Sequence, residues 1–434
     1  MLNVFMKSLA AGCLMLTLSA PVFAMPQAPM QVLTQNLQLQ KLFERALAQN
    51  PGLALADAQT TAALNAQRQA QSYEKPEVHL TSELSYAWMQ KKDFARTANQ
   101  LVATYPLYEP DKADLNQAAG YRHGAAQSQF ESQRQKLLLA VASRYFQYWA
   151  QKAQYDFLMK ERDSISSIMS QQSKRFQVGY QDLNDITEVQ ARLDNNQADL
   201  LEAKQAMDVT QSNLEALVGG AVDLSRLSPP KTLPKPIVLQ GDGASDDWRA
   251  WVENNPDIQA LNQSELAADS QVTYEKNKDG VQLQAFGAYV YNDSDGNYYD
   301  DMQGAKGGIQ LSVPLYLGGR THASVAQARA KSSQVSAQKR QKLLRLQADA
   351  KNAFLQYQAG LARLEALKAA LHSNLEAVKA TENGLRTGTR NILDLLNAQR
   401  SLHKAQRDLP TTRAKIWQSW YQFYWALGLL KADE

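Results

Sequence analysis

The side chains best placed to do chemistry lie in two short segments of matching type. Val178-Gly179-Tyr180-Gln181-Asp182-Leu183-Asn184-Asp185-Ile186 and Thr387-Gly388-Thr389-Arg390-Asn391-Ile392-Leu393-Asp394-Leu395 each pass from a glycine turn into polar side chains at the start of an apolar run. Carboxylates beside a cation can select ions or latch two segments together. Arg390 paired with Asp185 would be such a latch, its exposed form contributing only about 0 to 1 kcal/mol. The plainer reading is that these groups decorate helix starts, where Asp complements the macrodipole and where Asp182 and Asn391 fit as N-caps. Spacing alone leaves both readings open.

Nothing else in the chain resembles a reactive centre. The histidines (His79, His123, His322, His372, His403) are scattered, with no pair at metal-ligand spacing on one helix. A phosphate-binding glycine loop and a nucleophile elbow are both missing. The acidic run 291–301 lacks the terminal Glu of a calcium loop and reads as a solvated hairpin loop around Asp295-Gly296. Tyr145, Phe146, Tyr148 and Trp149, with Trp417, Trp420, Tyr421, Phe423, Tyr424 and Trp425, have the spacing of interhelical packing rather than of a ligand box. Pro410 is expected to break or bend its helix. No enzyme and no cofactor emerge.

Composition narrows the class further. The 434 residues carry 46 basic and 43 acidic side chains, for a net charge of +3, which argues against a nucleic-acid binder. An apolar fraction of 44% excludes wholesale disorder, and 14 prolines with 21 glycines leave room for long regular elements. Lys7, the apolar run from Leu9 to Leu18 and Val22-Phe23-Ala24 describe a signal peptide over residues 1–24, favoured over a lipobox at the single cysteine, Cys13. Beyond residue 24 no window approaches the roughly 18 consecutive apolar residues of a spanning helix. The expectation is an exported protein without a helical membrane anchor.

The two segments are positioned by a duplication. They stand about 209 residues apart, and Tyr145-Phe146-Gln147-Tyr148 answers Phe354-Leu355-Gln356-Tyr357 at the same spacing. Gly219 falls opposite Gly428, and Asn50-Pro51 aligns with Asn255-Pro256 after a small shift. The reading is a first repeat over 25–226, a linker over 227–245 at the waist, and a second repeat over 246–434.

Each half predicts the same series. A leading helix (37–73 and 246–278) shows amphipathic spacing such as Leu39, Leu42, Phe43, Ala46 and Leu47. Two alternating segments follow. Val78, Leu80, Leu84, Tyr86 and Trp88 pair with Leu101, Ala103, Tyr105 and Leu107; residues 281–291 pair with Ile309, Leu311 and Val313. Such alternation fits strands with one face in lipid, and Tyr86, Trp88, Tyr289 and Tyr291 suit an aromatic girdle as well as an ordinary hairpin core. Proline-free stretches over 111–176 and 318–385 predict helices about 100 Å long. After the tip turns, helices over 183–218 and 392–427 return to the waist. Four strands cannot close in lipid, where the smallest single-chain barrels have about eight. Two chains would give too narrow a barrel; three would leave room for a pore.

The duplicated halves, the Tyr316-Leu317-Gly318-Gly319-Arg320 segment after the last strand and both tip motifs together resemble the outer membrane efflux protein (TolC) family. The resemblance implies a mainly α fold with a small β-barrel contribution: tandem long helical hairpins forming a trimeric α-barrel, and four strands per chain completing a twelve-stranded outer-membrane barrel. It implies a passive exit duct for small molecules or secreted polypeptides, lodged in outer-membrane lipid and reaching into the periplasm. An inner-membrane pump and a periplasmic adaptor (membrane fusion protein) would dock at the tips, at Val178, Gly179, Thr387 and Gly388. By motif match the family's acidic constriction falls on Asp394 and on Asn397, where the amide weakens one ring. Arg390 matches the basic member of the closing network, Asn184 and Asp185 match its acceptors, and Leu385 replaces a Tyr. With the resemblance, the gate reading is preferred for Asp394 and Arg390: three copies of Asp394 around a narrow axis would favour cations. The alternatives are a periplasmic coiled-coil adaptor, which would need a lipoyl-like or barrel domain that is not visible between its helical arms, and a coiled-coil scaffold, which would not need two alternating hairpins at matching positions.

Overall fold

A computed structural model describes residues 37–88, 93–177, 183–224, 232–234, 247–294 and 302–431. The signal peptide, most of the linker, Val178 and Gly179, and the centre of the acidic loop therefore lie outside the described residues.

Twelve elements repeat one series twice. In the first half these are α1 (Leu37–Gln49), α2 (Pro51–Ser72), β1 (Glu77–Ala87), β2 (Phe94–Tyr108), α3 (Pro110–Gln177) and α4 (Leu183–Val218). The second half gives α5 (Asp247–Val252), α6 (Pro256–Asn277), β3 (Gln282–Ser294), β4 (Met302–Ser312), α7 (Arg320–Arg386) and α8 (Ile392–Ala426). At 1.5 Å per residue, the 68 residues of α3 and the 67 of α7 each span about 100 Å.

Two expectations need correction. Each leading helix is broken at its Asn-Pro step, because the residue before a proline is pushed out of the α region. Asn50 and Asn255 are extended there, and each caps the helix that follows. Second, α8 runs unbroken through Pro410. The loss of one backbone hydrogen bond is outweighed by the packing of its buried aromatic face, which includes Trp417, Trp420, Tyr421 and Tyr424.

The break serves a purpose that both halves share. Asn50 accepts from Leu53 N–H at 3.2 Å and donates through Nδ2 to the Leu217 carbonyl at 2.9 Å. Asn255 accepts from Asp257 N–H at 2.9 Å and donates to the carbonyls of Trp425 and Ala426 at 2.9 and 3.1 Å. One amide thus caps the start of a helix and satisfies the orphan carbonyls ending another, which stacks α2 on α4 and α6 on α8 end to end. Gly219 and Gly428 end the returning helices with left-handed φ of 76° and 73°. The amides of Gly220 and Leu429 reach back to Glu215 and Tyr424 at 3.0 Å each, completing two Schellman ends. A Cβ at Gly219 would meet Gln49 Cβ at 2.7 Å, and one at Gly428 would meet Asn255 Cα at 2.7 Å.

The helices form an arc in which α3 packs on α4 and α8, and α8 packs on α7. The main core lies at the waist, where Leu39, Phe43, Tyr145, Leu214, Val252 and Tyr421 come together from both halves. Above it, Asp257 on α6 accepts from Ser132 and from Lys136 at 2.9 Å, and pairs with Lys342 at 2.6 Å, tying α3, α6 and α7. Burial acts to raise the Asp257 pKa, but the bonds from Lys342, Ser132 and Lys136 prevail and hold it below the ordinary carboxylate value.

The strands form one antiparallel sheet in the order β1-β2-β3-β4. Register runs Leu80 to Leu101 to Tyr289 to Ala305, a row of apolar side chains across all four strands. Alternation puts Val78, Leu84 and Gly287 on that face, and His79, Glu83, Gln100 and Lys306 on the other. Val78, Leu80, Leu84, Ile309 and Leu311 are all more than half exposed, and within the described residues β1 and β4 each keep one unpaired edge. No helix among the described residues is long and apolar enough to cross a membrane.

Candidate functional site

The second hairpin tip is described throughout. Gly388 takes a left-handed φ of 75°, and the amides of Gly388 and Thr389 close onto the carbonyls of Leu385 and Gly384 at 3.3 and 2.9 Å. The hydroxyls of Thr387 and Thr389 each donate to the Gly384 carbonyl at 3.1 Å. The stem of Arg390 lies over Gly384, where a Cβ would sit 2.7 Å from Arg390 Cγ. Arg390 itself is exposed and forms no ion pair among the described residues.

Asn391 and Asp394 make a capping box. Asn391 Oδ1 accepts from Asp394 N–H at 2.8 Å, and Asp394 Oδ2 accepts from Asn391 N–H at 3.1 Å. The helix-start reading is therefore realised in the geometry.

Asn397, one turn further on, is exposed and accepts from Arg192 Nη1 of α4 at 3.1 Å. The other arm of the same guanidinium pairs with Glu188 at 3.1 Å. Deeper in, Glu161 of α3 accepts from Arg400 of α8 at 3.0 Å and from Asn196 of α4 at 3.4 Å. Close to these polar rungs lies a small apolar core of Ile165, Ile168, Val189, Val378, Leu395 and Leu396, drawn from α3, α4, α7 and α8. Leu385, the residue standing where a Tyr was expected, packs against it.

The structure thus brings Arg390, Asp394, Asn397, Thr387 and Gly388 to one tip. Val178 and Gly179 are outside the described residues. Asn184 and Asp185 lie in the first turn of α4, but their side chains, and with them the Arg390–Asp185 latch, are outside what is described. Arg192, Glu161, Asn196 and Arg400 were missed from sequence. For Arg192 a signal existed: the alignment that puts Asp185 opposite Asp394 also puts Glu188 opposite Asn397, with Arg192 one turn beyond. Chemically the tip offers weak, reversible cross-hairpin bonds and a fixed negative charge. Among the described residues no cluster of His, Cys, Asp or Glu could hold a metal ion.

Comparison with known proteins decides the family. The sequence model described as outer membrane efflux protein matches residues 42–220 and again 250–429. The chain belongs to the outer membrane efflux protein family. Within the family it is 25% identical to outer membrane protein TolC of Vibrio cholerae, over 91% of this chain and 92% of that one. It is 26% identical to the alkaline protease secretion protein AprF of Pseudomonas aeruginosa, over 77% and 71%. Among solved structures, the Campylobacter jejuni CmeC outer membrane channel shares its fold at a TM-score of 0.80 and 16% identity, over 92% of this chain and 87% of the other. Membership in the efflux protein family favours the duct over the coiled-coil adaptor.

Proposed function

We propose that three copies of this chain form a passive exit duct of the outer membrane for efflux of small molecules or type I secretion of polypeptides. The observation that carries the reading is the open four-stranded sheet, apolar on one face and unpaired at both edges, at the end of a helical arc about 100 Å long. Backbone edges cannot stay unpaired in lipid, so the strands require partners, and three chains supply twelve. A relative named for alkaline protease secretion supports polypeptide cargo beside small molecules. The chain conducts and does not catalyse.

The tips are the gate. Asp394 and Asn397 ring the narrow end, with the first repeat's Asn184 and Asp185 beside them, and Arg390 and Arg192 supply the cations that hold the hairpins together. An adaptor and its inner-membrane pump engage Thr387 and Gly388 together with Val178 and Gly179, and their docking energy exceeds the small bonds it must break. Asn255 and Asn50 keep the waist fixed while the tips untwist.

Single-channel conductance of the purified protein in planar bilayers tests this. Small cation-selective openings from a detergent-stable trimer, enlarged by Arg192→Ala, are expected. A water-soluble, non-trimeric protein without conductance would overturn the reading.

A further inference from the structure

A groove of about 330 Å³ opens on the seam between α3 and α8, a short way from the waist toward the tips. Pro410 forms part of its wall; having no N–H, it leaves the Gln406 carbonyl without its usual helical donor. The floor is aromatic. Phe146 and Trp417 stack with centroids 5.6 Å apart and planes 4° from parallel, and Trp149 and Phe157 extend the surface. Trp149 and Trp417 both line this groove, and the indole nitrogen of each is buried with no hydrogen-bond partner among the described residues. Trp417 is only 3% exposed.

The rim has the opposite character. Lys152, Lys160, Arg407 and Arg413 border the groove against one carboxylate, Asp156, which Lys152 already engages at 3.1 Å. Arg407 is held by Asp408 at 2.6 Å, and among the described residues Lys160 reaches only the Gln406 amide oxygen, at 3.5 Å. Arg413 is exposed and has no ion-pair partner among the described residues. Because α3 and α8 are the inner pair of the arc, with α4 and α7 on the flanks, the groove belongs to a single chain and does not depend on a neighbour to complete it.

We infer that this groove is a binding site for a small amphipathic carboxylate. Its apolar body lies on Phe146, Phe157 and Trp417, and its carboxylate is held by Lys160 and Arg413. Charge and shape agree: the apolar floor rejects a strongly hydrated anion, and the cationic rim favours an acid over its neutral analogue. The site stands whether or not the chain conducts.

The test is titration of the full-length protein in detergent with 2-naphthoate, read by isothermal calorimetry and by tryptophan emission, with 2-naphthamide and protein-free micelles as controls. Saturable binding of the acid, about tenfold tighter than the amide, is expected. Arg413→Gln changes an exposed side chain and should weaken the acid about tenfold while leaving the amide unaltered. Trp149→Phe replaces the indole by a smaller phenyl ring, shrinking the aromatic floor, and should weaken both. Equal affinity for acid and amide, binding indifferent to Arg413→Gln, or no saturation beyond the micelle control would each overturn the site.

Discussion

Arg192 holds Glu188 with one arm and Asn397 with the other, both at 3.1 Å, and these two acceptors occupy equivalent positions in the two repeats. One guanidinium therefore neutralises the first hairpin's carboxylate and reaches the second hairpin's amide. That rung joins α4 to α8 near the tips, where the hairpins must part if the duct is to open.

Altering either end of the rung should shift the gate in opposite directions. An exposed pair contributes about 0 to 1 kcal/mol, so Arg192→Ala should shorten closed dwell times by up to roughly fivefold. Asn397→Asp turns the bond from the guanidinium into a full ion pair and should lengthen them while raising cation selectivity. Single-channel recordings in which the two variants move dwell times in the same direction would remove the rung from the gate.

The double role of Asp394 can be separated. Asp394→Asn keeps an acceptor for the Asn391 amide and removes the charge, whereas Asp394→Ala removes both. Reversal potentials in a salt gradient should lose cation preference in both variants. Thermal melting should fall only in the alanine variant, by about 1 kcal/mol. Unchanged reversal potentials in both would reduce Asp394 to a cap.

The stacked junctions predict a graded series. Asn255 is 2% exposed and donates twice, so Asn255→Ala should destabilise more than Asn50→Ala, by about 2 against 1 kcal/mol. Gly428→Ala adds a clash with the Asn255 backbone to the cost of a left-handed φ, and should lose more than about 2 kcal/mol. Gly318→Ala, with φ 62° and nothing within 4 Å of an added Cβ, should lose only about 1 kcal/mol. Denaturant titration of the four variants would show whether the order holds.

Acid should act on the Asp257 cluster. Its carboxyl pKa is lowered in the folded state, so its stabilisation is fully present above the ordinary value of 3.8 and is lost as pH falls through the lower folded value. Wild type should exceed Asp257→Asn by about 2 kcal/mol at pH 7, and the gap should shrink only below about pH 4. A gap that is constant from pH 7 to pH 3 would mean that the cluster contributes by packing alone.

Much of this architecture was legible in the chain because the signals were long. Proline-free stretches and the repeat predicted α3, α4, α7 and α8 to within a few residues, and alternation found all four strands. The breaks before Pro51 and Pro256 were misread as interior to one helix, since apolar periodicity continues across them and only the backbone restriction before proline interrupts it. Pro410 misled in the opposite direction: its local cost was visible, whereas the aromatic packing that overrides it depends on α3, far away in sequence. At the tip, Arg390, Asp394 and Asn397 were singled out by motif, and the fold places them together there. Glu161 was not, because nothing local distinguishes a cross-hairpin partner from a surface charge on a long helix, and Arg192 was signalled only by its place one turn beyond Glu188 in the repeat alignment.

The two bare sheet edges bear on how the protein is made. If three chains close the sheet as proposed, a chain whose described β1 and β4 edges are unpaired cannot enter lipid alone, so insertion waits on encounters between chains and has a high reaction order. Halving synthesis would then cut the rate of duct formation by roughly eightfold if the three-body encounter is limiting. The amount of working duct would follow expression as a threshold rather than in proportion, and chains stranded below that threshold would carry sticky edges into the periplasm, as substrates for chaperones and proteases.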